Sequence, residues 1–182
     1  MYIMSWLTCG REAQISKVRA SLASYYAAGR NHNVGHFLDN HQSGGMSKLE
    51  KRADEITAAG GQDYGSPHLF TMFTVREGGK PYCMDSREVM QLLADALVDS
   101  LDEIDDWLTG DHAQEAFVLT IAHGERVGDG VIAELPGTRR KYAGCVCRNV
   151  RVILLPNRNR FKRGEHLPFF IETAYPVPTE KV

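Results

Sequence analysis

Thr173 and Tyr175, two residues apart in Phe169-Phe-Ile-Glu-Thr-Ala-Tyr-Pro176, carry hydroxyls that a strand would turn to one face, with Glu172 and Ala174 on the other. Pro176 is expected to stop that strand, so the pair could frame a small polar site at its end. A Thr-x-Tyr pair is also an ordinary solvated face, and its meaning depends on what converges with it. Seven histidines offer proton transfer near neutral pH: His32, His36, His41, His68, His112, His123 and His166. His36 stands out by its context, Gly35-His36-Phe-Leu-Asp-Asn-His41, with Leu49 and Arg52 behind it. Arg52 would supply a permanent cation that forks onto anionic oxygens. Cys145 and Cys147 share a face of a strand-like run, which suits packing more readily than redox or metal chemistry, although a cysteine-dependent enzyme remains a third reading.

The elements that would position these groups are legible from periodicity. Arg11 to Tyr26 reads as a helix, with Ile15, Val18, Leu22 and Tyr25/Tyr26 at three- and four-residue steps and Gly29 at its stop. His36 falls near the start of a short helix, and Met46 to Ala59 reads as another that carries Arg52. Leu69 to Val75 predicts a strand and Glu77-Gly-Gly-Lys80 a hairpin turn. Ser86 to Leu108 predicts one long helix, capped by Asp85 with Glu88 three residues on. Its apolar stripe is Val89, Leu92, Leu93, Ala96, Leu97, Leu101, Ile104 and Trp107, and its acidic residues fall mainly on the opposite, solvated face. After Gly110 the pattern changes to short strands at 116–122, 127–135, 145–155 and 168–175. Helices first and strands second predict an α+β fold, N-terminal helices packed on a twisted antiparallel sheet.

The 182 residues suffice for one domain with a helical extension, and 43% hydrophobic with 24% charged residues is ordinary for a globular chain. Four cysteines in this length do not predict a disulfide framework. No stretch reaches the roughly 18 apolar residues of a membrane helix. Met1 to Leu7 is too short, and lacks the basic start, for a cleavable signal peptide. The net charge of −2 hides an asymmetry: Asp85 to Glu115 holds ten acidic residues and one basic residue, Arg87, whereas Leu135 to Gly164 holds nine basic residues and no acid. That basic lobe suits a polyanion such as RNA, or else neutralises the acidic segment within the fold.

Taken in order, these pieces resemble the ribonuclease A-like toxin domains at the C-terminal ends of bacterial contact-dependent inhibition proteins and other polymorphic toxins. The resemblance runs from about Val34 to Pro178. It rests on Gly35-His36 with His41 five residues on, then Leu49 and Arg52. Trp107-Leu108 closing a long helix, the Gly-rich Val127-Gly-Asp-Gly-Val131, the apolar Val150-Arg-Val-Ile-Leu-Leu155 and the closing Thr173-Ala-Tyr-Pro176 complete it.

The resemblance implies a ribonuclease A-like fold at 31–182, preceded by a helical extension at 1–30. It implies metal-independent endoribonuclease activity with no cofactor, in which the 2′-hydroxyl of RNA attacks its own phosphate and leaves a 2′,3′-cyclic phosphate, so DNA would be inert. His36 would be general base or acid, Arg52 the phosphate stabiliser, and Thr173 with Tyr175 would position or donate to the phosphate. His41 is a secondary candidate with a structural alternative, and His32 competes with His36 because the register at the motif's start is open. Arg139, Arg140, Lys141, Arg158, Arg160, Lys162 and Arg163 would contact RNA, tRNA among the candidates. The implied partners are that RNA and a cognate immunity protein, with no membrane anchor in this chain, secretion or delivery by a producing bacterium, and action in the target-cell cytoplasm. Phe37 replaces the small polar residue usual beside the histidine, and the stretches Gly60 to Asp85 and Asn157 to Gly164 look enlarged; these departures bear on substrate choice. The alternative function is a non-catalytic RNA-binding module built on the basic 139–163 lobe.

Overall fold

The computed structural model describes residues 2–28, 51, 68–134, 141–157 and 167–181. Along the chain the elements are α1 (Tyr2–Leu7), α2 (Arg11–Ala28), β1 (His68–Glu77), β2 (Lys80–Cys83), α3 (Ser86–Asp99), α4 (Leu101–Thr109), β3 (Phe117–Ala122), β4 (Gly128–Glu134), β5 (Lys141–Pro156) and β6 (Phe169–Lys181). The architecture is α+β with antiparallel strand pairing, and the four cysteines are free thiols. Of the expected helix at Met46–Ala59 only Lys51 is described, and it is helical; the rest lies outside the described residues. Among those described, no helix is long and apolar enough to cross a membrane.

Two compact units share the long strands. The first comprises α1 to α4 except β1 and β2, then β3 as far as Ile121, β5 from Arg151 and β6 up to Ala174. Its core is the apolar stripe of α3 and α4 (Val89, Leu93, Leu97, Leu101, Ile104) with Val18 and Leu22 of α2 and Val152, Leu154, Phe169 and Ile171 of the strands, all buried. Trp6 meets Phe169 edge to face at 6.0 Å and donates its indole N–H to Asp105 at 2.7 Å, so a buried ring has its one polar atom satisfied. Asp105 also accepts from Gln14 and pairs with Arg11, which anchors the N-terminal helices to α4.

The predicted long helix is two helices. The capping box forms as expected: Glu88 donates its backbone N–H to the Asp85 carboxylate at 2.8 Å, and Asp85 donates its own to Glu88 at 2.6 Å. The chain then breaks at Ser100, whose N–H turns back to Leu97 and Val98 with φ −104° and ψ 15°. The break involves one residue and leaves Leu97, Leu101 and Ile104 on a single apolar face, so the periodicity does not register it.

The second unit contains β1, β2, β4, β5 up to Val150 and β6 from Tyr175. The hairpin turn is as expected, with Glu77 opposite Lys80 and both intervening glycines, Gly78 and Gly79, at positive φ. β1 pairs with β4 (Phe73 opposite Gly128) and β4 with β5 (Gly128 opposite Cys147).

Two strands depart from the sequence expectation, both by a one-residue slip. In β5 Cys145, Val146 and Cys147 are all buried, then Val150, Val152 and Leu154, so the even-numbered alternation begins only after Cys147. At the change of parity two consecutive carbonyls serve the same β3–β4 connection: Cys147 accepts from Val127 N–H and Arg148 from His123 N–H, each at 2.9 Å. That is a β-bulge. In β6 the buried set changes from Phe169 and Ile171 to Ala174 and Pro176, a slip at Glu172–Thr173. Pro168 accepts from Asn157 N–H, so even-numbered residues face β5 where the strand begins. The strand runs through both Pro176 and Pro178 to Lys181. Pro176 therefore does not stop the strand, contrary to the sequence expectation; a proline is tolerated within a strand where its missing N–H is not needed for pairing.

Gly128 shows why a glycine-rich β segment is needed here. A Cβ at Gly128 would lie 2.5 Å from Cβ of Pro176 and 2.7 Å from the Met72 carbonyl oxygen. Gly128→Ala is expected to lower stability by about 1–3 kcal/mol, as overpacking against a rigid ring and backbone does. A urea midpoint equal to that of the wild type would show that β6 can give way.

Candidate functional site

Of the residues singled out by sequence, the structure places Thr173 and Tyr175 together on β6. His32, His36, His41, Arg52, Arg139, Arg140, Arg158, Arg160, Lys162 and Arg163 lie outside the described residues. Lys141 opens β5 with its backbone opposite Glu134. Thr173 and Tyr175 are both half-buried and follow directly on the slip in β6. Phe169 and Ile171 are buried, Glu172 is exposed, and from Thr173 onward the odd-numbered side chains are partly open while Ala174 and Pro176 are buried. Glu172 and Ala174 accordingly do not share one environment, which corrects the simple alternation read from sequence. Two hydroxyls thus stand on a partly open face of a strand whose intervening residues, Ala174 and Pro176, are packed.

A polar cluster that the sequence reading missed lies in the second unit, inside the segment Val127-Gly-Asp-Gly-Val131. The buried Asp129 carboxylate accepts from the Thr74 hydroxyl and pairs with Arg126. Side-chain exposures of 19% for Arg126 and 8% for Asp129 make this an ion pair largely removed from water. Burial, and next the neighbouring guanidinium of Arg76, hold Arg126 below the ordinary arginine value; Arg148 adds to this, while the thiols of Cys147 and Cys145 act the other way. Nε of Arg126 is buried without a hydrogen-bond partner among the described residues. Arg148, at the β5 bulge, donates to Glu180 at 2.9 Å and to the Gly124 carbonyl at 3.2 Å, clamping the β3–β4 connection and the end of β6 to β5. The signal available in sequence was an aspartate between two glycines in a strand-like run, which does not name partners 3 and 55 residues away.

The thiols of Cys145 and Cys147 are buried. Cys147 is pushed far up, first by its hydrogen bond with Cys145 and then by burial, so it stays a thiol at any physiological pH. A nucleophilic cysteine must ionise and be reached by its substrate, and Cys147 does neither.

No protein-family model and no curated protein matches the chain. A solved structure does. The fold is that of a chain in a CdiA-CT/CdiI complex. That crystal structure, from Y. kristensenii 33638, matches with a TM-score of 0.50 and 17% sequence identity, over 79% of this chain and 100% of its own. At that identity the CdiA-CT/CdiI match speaks for the arrangement of the backbone, and it adds an independent structural observation to the order of motifs in the sequence.

Proposed function

We propose that this chain is a metal-independent endoribonuclease toxin of contact-dependent inhibition, with a ribonuclease A-like fold at 31–182 and a helical extension at 1–30. The observation that carries the reading is the fold match to a chain of a CdiA-CT/CdiI complex, reached independently of the motifs that suggested it. In this reading His36 moves the proton at the 2′-hydroxyl or the departing 5′-oxygen, with His41 and His32 as secondary candidates. Arg52 stabilises the crowded phosphorane, and the hydroxyls of Thr173 and Tyr175 donate to phosphate oxygens from the half-open face of β6. The basic residues Arg139, Arg140, Lys141, Arg158, Arg160, Lys162 and Arg163 draw RNA in through its backbone charge. The producer needs a cognate immunity protein, and the toxin acts after delivery in the cytoplasm of a target cell.

Purified protein is expected to cleave total RNA in the presence of EDTA, to leave 2′,3′-cyclic phosphate ends, to spare DNA, and to be silenced by its immunity protein. Cleavage that requires an added divalent metal would overturn the mechanism. Salt-sensitive RNA binding with no turnover would instead establish the non-catalytic RNA-binding module.

A further inference from the structure

A groove of about 340 Å³ runs between α2 and α3 in the first unit, lined by Arg19, Leu22 and Ala23 from one helix and Arg87, Met90, Gln91 and Ala94 from the other. Its floor is apolar, with Leu22, Met90 and Ala94 buried, and small side chains at 23 and 94 create the space. Its rim is cationic. Asp95 holds Arg19 at 3.5 Å and accepts the Gln91 amide N–H groups at 3.0 and 3.1 Å, which leaves the Gln91 carbonyl oxygen as a fixed acceptor. Arg87 has no ion-pair partner among the described residues and is the one basic residue between Asp85 and Glu115. Its acidic neighbours Asp85 and Glu88 are engaged with each other's backbone in the capping box.

We propose that this groove binds a nucleotide unit whose base carries an exocyclic amino group. Two guanidiniums from facing helices match a phosphate, which accepts forked hydrogen bonds and carries more charge than a carboxylate. The apolar floor takes the face of the base, and the Gln91 carbonyl accepts from its amino group, which favours adenine over uracil. The site stands on its own residues and does not rest on the ribonuclease reading. The unit could belong to a free mononucleotide or to an RNA chain, since the recognised chemistry is the same.

Calorimetric titration of the full chain decides it, with AMP, UMP and an oligoadenylate lacking a terminal phosphate as probes. AMP is expected to bind saturably. Arg87→Glu should weaken it by about 10-fold or more, as loss of a charge-assisted hydrogen bond does. Ala23→Phe, an exposed change that fills the groove, should abolish it; circular dichroism of both variants should match wild type. UMP should bind more weakly than AMP. Oligoadenylate binding as well as AMP assigns the source to RNA, and AMP binding alone assigns it to the free nucleotide. No AMP binding, or unchanged binding in Arg87→Glu or Ala23→Phe, overturns the proposal whatever the fate of the ribonuclease activity.

Discussion

His36→Ala is expected to lower the rate of RNA cleavage by roughly 10²–10⁴-fold, the contribution a positioned general acid or base makes, while the thermal midpoint stays at the wild-type value. The chemistry asks more of this residue than of any other candidate. The attacking 2′-hydroxyl does not ionise appreciably at neutral pH, and imidazole is the side chain whose ordinary pKa lets it both take and return that proton. Tyr175→Phe and Thr173→Val remove a donor each and should cost less, about 10- to 100-fold, because a hydrogen bond to a charged group contributes roughly 1.5–3 kcal/mol. Initial rates on a defined RNA, measured in EDTA for all three variants, give the ranking. Full activity in His36→Ala would move the proton transfer to His32 or His41.

The largest expected effect on stability is at Asp129. Asp129→Ala leaves Arg126 a buried charge without its counter-ion and strips the Thr74 hydroxyl of its acceptor. Breaking a pair so far removed from water costs about 3–5 kcal/mol, a large share of what holds a domain of this size together. Removing both charges is expected to cost less than removing one. The double variant Arg126→Met with Asp129→Leu should therefore unfold at higher urea than Asp129→Ala alone. A single variant within 1 kcal/mol of wild type, by chemical denaturation, would mean that Arg126 swings out to water and that the pair is not a structural anchor.

What the sequence made legible divides along the range of the interactions involved. The α+β class, the Glu77–Lys80 turn and the Asp85–Glu88 cap are local: a few neighbouring residues set them, and each appears as read. The helix break at Ser100 is also local, but it changes one pair of dihedrals while the stripe from Val89 to Trp107 continues, so periodicity carries no trace of it. The slips in β5 and β6 arise from pairing with distant strands. Nothing near Glu172–Thr173 announces the change of buried face, and Pro176 read alone is a terminator. Asp129 is the extreme case, since its burial depends on Thr74 across a β-strand pair. For the candidate site, the Thr173 and Tyr175 pairing on one face was legible from strand alternation. The slip that gives that face its partial exposure was not. His36 and Arg52 fall outside the described residues, so their part rests on chemistry and on the order of motifs.

Pro176 and Pro178 have a consequence for how the chain keeps company. A terminal strand normally offers a row of amide donors to any other extended chain, which is the usual start of edge-to-edge aggregation. Pro176 and Pro178 carry no N–H, so the last part of β6 lacks a donor at two positions of the same parity. A foreign strand laid along the edge that these two positions face would leave carbonyls unpaired, which discourages strand recruitment there by covalent structure, at any pH and salt concentration. A chain so protected can pass through partly unfolded states with less risk of sticking to its own copies.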